Sequence, residues 1–95
     1  MYKIIMIDDE DIVLNTLPQA IDWNSYGLEL TATFNDAQAA LDYIDTHIVD
    51  GILTDIQMPV ITGLELARRV HKNHPNIVIF IISAYSNFEY AQEAM

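Results

Sequence analysis

The sequence lacks cysteine altogether, and it contains only four lysines and arginines. Without cysteine the chain can form neither a disulfide nor a thiolate metal site, which fits a reducing compartment. The few basic residues are set against 14 acidic ones, so the net charge is -10. A surface this acidic repels nucleic acid and anionic lipid. We therefore expect the chain to reach DNA only through another domain joined to it.

Long hydrophobic runs and targeting signals are also missing. No apolar run approaches the roughly 20 residues of a membrane span, and the N-terminus has no basic region followed by an apolar stretch and a cleavage site. The length of 95 residues fits one small domain, and an apolar content of 52% allows a modest core. We expect a single soluble, cytoplasmic domain over residues 1–95, without membrane contact.

Four apolar runs rich in β-branched residues predict strands. They cover residues 3–7, 28–34, 51–54 and 77–82. The first, third and fourth are apolar almost throughout, as in strands that are buried on both faces of a parallel sheet. The second alternates between apolar and polar residues, which indicates an edge strand.

Helical patterns separate these strands. Apolar stripes cover residues 12–17, 37–48 and 66–70. We expect Pro18 to kink or end the first helix, Asn35 to cap the second, and Thr62, with Glu65 three residues later, to cap the third. A fourth helix is expected to begin near Ser86.

The order of these elements is β-α-β-α-β-α-β-α. Alternating strands and helices predict an α/β fold, with right-handed crossovers and a parallel sheet covered on both faces. Ligands of such sheets bind outside the carboxyl ends of the strands. The residues at those ends are therefore the candidates for function.

Polar residues follow three of the strands at these ends. Asp8 and Asp9 follow the first strand, Asp55 ends the third, and Ser83 follows the fourth. A strand that simply reaches solvent would explain Asp55 alone, but not the whole set. Crowded carboxylates repel each other unless a cation sits among them. Mg²⁺ is favoured, because it takes one or two carboxylates and keeps waters for a phosphoryl ligand.

A carboxylate beside a bound cation is also a candidate nucleophile. Aspartate can attack phosphorus to form an aspartyl phosphate. A nearby hydroxyl such as that of Ser83 could bind a phosphoryl oxygen. The pattern at the strand ends therefore indicates phosphoryl transfer.

The sequence resembles the receiver domain of bacterial two-component response regulators. The resemblance covers essentially the whole chain and is carried by "IIMIDDE" at 4–10, "LTDIQMP" at 53–59 and "IFIISAYS" at 79–86. It implies a flavodoxin-like (CheY-like) fold and a phosphoryl group passed from a histidine kinase to Asp55. It also implies an Mg²⁺ ion held by Asp8, Asp9, Asp55 and the backbone carbonyl of Gln57. Ser83 takes the place of the family's switch residue.

Smaller details are similar to regulators whose receiver is fused to an AraC-type DNA-binding domain. They are "IDW" at 21–23, "YGLEL" at 26–30 and "SNFEYAQEAM" at 86–95. By this resemblance, phosphorylation would alter the surface of the fourth helix and so control a transcriptional output domain outside this chain. The domain would act as a switch with self-directed chemistry and not as a turnover enzyme.

The sequence departs from the family at two places. Thr62 stands where an acidic residue usually precedes the glycine after the acceptor loop. Receivers also carry a lysine on a fifth strand, whereas this sequence stops inside the expected fourth helix, so we expect a receiver missing its C-terminal strand and helix. The fourth strand would then have a bare apolar edge that invites pairing with another chain, and a homodimer through that edge or the fourth helix is expected.

Two rival functions remain open at the level of the sequence. A phosphorylation-independent pseudo-receiver would keep only the fold, and the missing lysine favours it. A phosphatase resembling the haloacid dehalogenases would also use an aspartyl phosphate with Mg²⁺. That family normally needs an aspartate two residues after the nucleophile, where this sequence has Gln57.

Overall fold

The computed structural model describes residues 1–56, 58 and 60–82. Its elements are β1 (Tyr2–Ile7), α1 (Asp11–Ala20), a short 3-10 turn (Trp23–Tyr26), β2 (Leu28–Phe34), α2 (Ala37–Thr46), β3 (Gly51–Asp55), α3 (Gly63–Asn73) and β4 (Val78–Ile82). All four predicted strands are present, each within one residue of its expected bounds. The expected fourth helix near Ser86 lies outside the described residues.

The four strands form one parallel sheet in the order β2-β1-β3-β4. β2 lies at an edge, as its alternating pattern predicted. From β1 the chain moves outward to β2 and then crosses back to β3 and β4. Because crossovers of this kind are right-handed, the first helix and the next two lie on opposite faces of the sheet. The predicted flavodoxin-like architecture is therefore confirmed.

The core lies between the sheet and the helices α2 and α3. Apolar side chains of β1 and β3, among them Ile5 and Ile52, pack against Ala40 of α2 and against Leu66 and Val70 of α3. Each of these five side chains is at most 1% exposed. This packing fixes both helices against the central strands, and so fixes the ends of those strands.

The helix boundaries differ from the sequence predictions at two points, both in α2. The N-cap of α2 is Asp36 and not Asn35, because the Asp36 carboxylate accepts hydrogen bonds from the N–H groups of Gln38 and Ala39. Ile48 lies beyond the end of α2 and is exposed.

Pro18 lies inside α1, which continues for two residues beyond it. Proline removes one backbone donor from the helical ladder, and α1 ends at Ala20, shortly after it. The indole N–H of Trp23 donates to the carbonyl oxygen of Pro18 at 2.9 Å. A side chain therefore satisfies a carbonyl near the helix end, where carbonyls have no helical partner.

The beginning of α3 is as predicted. The side chain of Thr62 accepts a hydrogen bond of 3.1 Å from the N–H of Glu65. This cap starts the helix immediately after the loop that follows β3. It therefore helps to fix the path of that loop.

The outer edge of the sheet is apolar at β4. Among the described strands, β4 pairs only with β3. Val78 and Phe80 are 54% and 53% exposed, in agreement with the predicted apolar edge. The homodimer suggested by that edge stays a prediction. None of the described helices has the length and apolar character needed to cross a membrane.

Candidate functional site

An acidic cluster forms where the two central strands end. Ile7 of β1 lies opposite Thr54 of β3 in the sheet register, so the next residues, Asp8 and Asp55, are neighbours. One carboxylate oxygen from each of Asp8, Asp9 and Asp55 lies within 4.8 Å of the others. The structure thus brings together the three aspartates that the sequence singled out.

The members of the cluster differ in burial. Asp8 and Asp55 are only 8% and 6% exposed, and they are two of the few buried polar residues in the described part of the chain. Asp9 is exposed. The site therefore has a buried floor of two carboxylates and an open rim with a third.

The electrostatics of Asp8 show how unfavourable the cluster is without a cation. Burial raises the pKa of Asp8 above its ordinary value, and the negative charges of Asp55, Asp9 and Glu10 raise it further. One interaction opposes these effects, because the N–H of Glu10 donates a hydrogen bond of 2.9 Å to Asp8 Oδ1. The net upward shift means that the surroundings disfavour the charged form of Asp8.

The donor set fits a hard divalent cation. Carboxylate oxygens are the ligands that Mg²⁺ and Ca²⁺ take in proteins. Calcium takes six to eight oxygens, whereas Mg²⁺ is commonly held by one or two carboxylates and several waters. An open cluster of three carboxylates fits the second pattern better. A cation there would also offset the repulsion that raises the pKa of Asp8.

The backbone beside Asp55 is held tightly. The hydroxyl of Thr54, which is fully buried, donates to the carbonyl oxygen of Asp55 at 3.1 Å. The N–H of Gly63 donates to the carbonyl of Ile56 at 2.9 Å. The start of α3 approaches β3 so closely that a Cβ on Gly63 would collide with the carbonyl oxygen of Asp55 and lie 3.0 Å from the Cα of Ile56. Glycine is therefore needed at position 63.

The loop between β3 and α3 contains a strained residue that sequence reasoning missed. Val60 has a φ of 70° and is completely exposed. A β-branched residue rarely adopts this left-handed conformation, and such residues concentrate at functional sites. Met58 and Ile61 on either side of Val60 are buried, so packing holds the loop in place. No signal in the sequence marks this conformation.

Two predicted site residues, Gln57 and Ser83, lie outside the described part of the chain. The described part of β4 pairs Ile82 with Asp55, so β1, β3 and β4 are adjacent, as the prediction of a shared site required. The roles of Gln57 and Ser83 stay predictions.

Comparison with known proteins gives the same assignment as the geometry. The sequence profile of the response regulator receiver domain matches residues 4–95. The uncharacterized transcriptional regulatory protein YesN of Bacillus subtilis is 38% identical over 98 residues. The match covers 100% of this chain and 26% of YesN, so the chain spans about a quarter of that relative.

Solved structures agree with the profile. The receiver domain of AraT, a response regulator from Geobacillus stearothermophilus, is 35% identical, with a TM-score of 0.85 over 98% of this chain and 72% of that one. A two-component transcriptional regulator AraC from Clostridium phytofermentans is 28% identical, with a TM-score of 0.81 over 100% of this chain and 74% of that one. The chain belongs to the response regulator receiver domain family.

Proposed function

We propose that Asp55 accepts a phosphoryl group from a partner histidine kinase. The observation that carries the proposal is the acidic cluster, in which the carboxylate oxygens of Asp8, Asp9 and Asp55 approach within 4.8 Å at the ends of the two central strands. Asp55 occupies the position that the family motif gives to the acceptor. Its backbone is held by Thr54 and by the close approach of Gly63, which supports a precisely placed nucleophile.

The transfer forms one bond and breaks one. A carboxylate oxygen of Asp55 attacks the phosphorus of the phosphorylated histidine and forms the new O–P bond. The P–N bond to the histidine breaks, and its electron pair returns to the imidazole, which takes up a proton. An aspartyl phosphate results. The domain changes its own covalent state, so it acts as a switch and not as a turnover enzyme.

Asp8, Asp9 and Asp55 would hold Mg²⁺, together with the backbone carbonyl of Gln57. When bound, the cation supplies positive charge that stabilises the phosphoryl oxygens during transfer. The protein's contribution is to keep the Asp55 oxygen in place and to hold the carboxylates of Asp8 and Asp9 beside it. The hydroxyl of Ser83 would bind a phosphoryl oxygen and carry the switch.

The basic residues of this chain lie away from the cluster. Lys3 lies on β1 near the opposite end of the sheet and approaches Glu29 at 3.9 Å. Arg68, Arg69 and Lys72 lie on the exposed side of α3. In the described residues no lysine or arginine therefore takes the role of the family's active-site lysine, and loading of the chain by itself is the point to test.

The output of the switch is proposed from the relatives. YesN is named a transcriptional regulatory protein and is about four times as long as this chain. The AraC-named structure supports an AraC-type DNA-binding domain as the output. Because the present chain is strongly acidic, contact with DNA would be made by that domain only. The kinase and the output domain would meet the receiver in the cytoplasm.

Intact mass spectrometry tests the acceptor directly. The chain is incubated with Mg²⁺ and acetyl phosphate, alongside Asp55→Asn and the matched control Asp22→Asn, which changes an exposed aspartate outside the cluster. We expect wild type and control to gain one phosphoryl group and Asp55→Asn to gain none. Omission of Mg²⁺ should abolish the gain.

The same experiment separates the alternatives. No gain in the wild type would leave two alternatives, a pseudo-receiver that keeps the fold alone or a receiver that cannot load without the family's lysine. The same measurement on a longer chain that carries this lysine separates them. A gain that persists in Asp55→Asn would show that another residue is the acceptor. Sustained release of phosphate from p-nitrophenyl phosphate, lost in Asp55→Asn, would favour a phosphatase over a switch.

A further inference from the structure

The helices α2 and α3 lie side by side on one face of the sheet and carry opposite charges. Three of the four lysines and arginines in the chain are on α3, namely Arg68, Arg69 and Lys72. The exposed side of α2 carries Asp42 and Asp45 and no basic residue. The chain has a net charge of -10, yet most of its positive charge is concentrated on this one helix.

A groove runs between these two helices. Its volume is about 340 Å³, with Asp42 and Asp45 on one wall, Arg69 and Lys72 on the other, and His74 at the end of α3. All four charged residues line this one groove. The surface is thus an acidic row next to a basic row.

Most of these charges are not paired across the groove. Among the described residues the only contact between titratable side chains that crosses it joins His74 to Asp45, at 3.1 Å between Nε2 and Oδ1. Arg69 instead bonds to Glu65 on its own helix, at 3.4 Å. The side chains of Asp45 and Arg69 remain 69% and 49% exposed. Both rows therefore present charge outward.

We propose that this α2–α3 face binds the same face of a second copy of the chain. Two faces can meet about a two-fold axis that lies in their plane. If the axis runs across the helices, α2 meets α2 and acid meets acid. If it runs along the groove, α2 of each copy meets α3 of the other, and both contacts join acid to base. The charge pattern is therefore self-complementary in one arrangement only.

Charge and area both indicate a weak complex. Helices of 10 and 11 residues are only about 15–17 Å long, so the contact is smaller than the roughly 800 Å² per partner of a standard interface. The net charge of each copy opposes association at low ionic strength. At about 0.15 M salt this long-range repulsion is screened beyond about 8 Å, whereas contacts across a partly buried seam are screened less. Dimerisation should therefore be strongest at intermediate salt.

Charge reversal gives a sharp test by analytical ultracentrifugation of the 95-residue chain. The first variant, Asp42→Lys with Asp45→Lys, makes both rows basic. The second, Arg69→Glu with Lys72→Glu, makes both rows acidic. Each variant alone should dimerise about tenfold or more weakly than wild type, because like charges then meet. An equimolar mixture should recover association, since each acidic row again meets a basic one and the total charge equals that of the wild-type pair.

A control variant, Asp22→Lys with Glu29→Lys, changes the net charge as much as the first variant but at exposed positions outside both helices. It should dimerise at least as well as wild type. A wild-type chain that remains monomeric at about 1 mM would overturn the proposal, because this concentration is far above a dimer Kd in the micromolar range. So would a dimer that both reversed variants keep, or a mixture that stays monomeric although circular dichroism shows both variants to be folded.

Discussion

The close approach of Gly63 to β3 predicts a large effect of a single methyl group. In Gly63→Ala the new Cβ would lie 3.0 Å from the Cα of Ile56 and 3.1 Å from the carbonyl carbon of Asp55, and closer still to the Asp55 carbonyl oxygen. Carbon atoms prefer separations of about 3.5–4.0 Å. The obstacle is backbone that cannot swing aside, so the cost should reach the upper end of the usual range of about 1–3 kcal/mol for overpacking. Alanine is favoured over glycine by about 1 kcal/mol inside a helix, but Gly63 is the first residue of α3 and gains only part of this. The net loss should therefore be about 2–3 kcal/mol.

Urea unfolding followed by circular dichroism measures this loss, and intact mass after acetyl phosphate treatment measures its effect on Asp55. Gly27→Ala is the matched control, because Gly27 has a φ of 72° and no atom lies within 4 Å of the place that an added methyl group would take. Its left-handed backbone predicts a loss of about 1 kcal/mol without any change in phosphoryl loading. Gly63→Ala should lose both stability and loading. The reasoning is refuted if Gly63→Ala is as stable as wild type, or loads as well as Gly27→Ala does.

The remaining predictions concern the acidic cluster, the core and a helix cap. The pKa of Asp8 is raised in the fold, so its stabilising contribution to the metal-free chain is complete below its ordinary pKa and is lost as pH rises through the raised value. Asp8→Asn should therefore stabilise the chain in EDTA at pH 7. Mg²⁺ at ten times its Kd should stabilise only the wild type, by about 1.4 kcal/mol. Urea titrations with and without Mg²⁺ measure both effects, and an Asp8→Asn chain that is less stable than wild type in EDTA would contradict the first. Leu66→Ala should lower the free energy of urea unfolding by about 2–5 kcal/mol, because Leu66 is fully buried. Leu64 is on the same helix but is 51% exposed, so Leu64→Ala should lower it by less than about 1 kcal/mol. Asp36→Ala should lower the unfolding free energy by about 1 kcal/mol and Asn35→Ala by much less; equal losses would mean that Asp36 is not the cap.

Much of the fold could be predicted because the strands have a strong pattern. Strands buried on both faces must be apolar at nearly every position, as the runs around Ile5 and Ile52 are. The run around Ile79 is equally apolar, but it lies at the edge of the described sheet, where Val78 and Phe80 are exposed, so the burial expected for this strand on both faces was wrong. The cluster followed from the same pattern, since a charged residue directly after a buried strand marks its carboxyl end. The pattern placed Asp8 and Asp55 at the same edge of the sheet, and the strand order of the structure makes them neighbours.

What could not be predicted depends on local backbone angles. Asn35 and Asp36 are both good capping residues, and only the extended φ and ψ of -138° and 126° at Asp36 decide between them. The left-handed conformation of Val60 goes against the preference of its own side chain. The hydrogen bond from Trp23 to the carbonyl oxygen of Pro18 joins residues outside and inside α1, and the helical pattern of α1 gives no sign of it. Each of these features depends on backbone conformation or contacts in the folded chain that the sequence pattern does not determine.

The strand order also determines how fast the different parts of the site can move. β1 and β3 are each flanked by a strand on both sides, so their amides should exchange with solvent only when the whole domain unfolds, over hours or longer in a stable fold. Asp8 and Asp55 are attached to this slowest part of the molecule. The proposed covalent change at Asp55 therefore meets an almost immobile base, and faster rearrangements must arise in segments outside the central strands. The central strands are therefore a rigid support, and any faster structural change must take place in the segments around them.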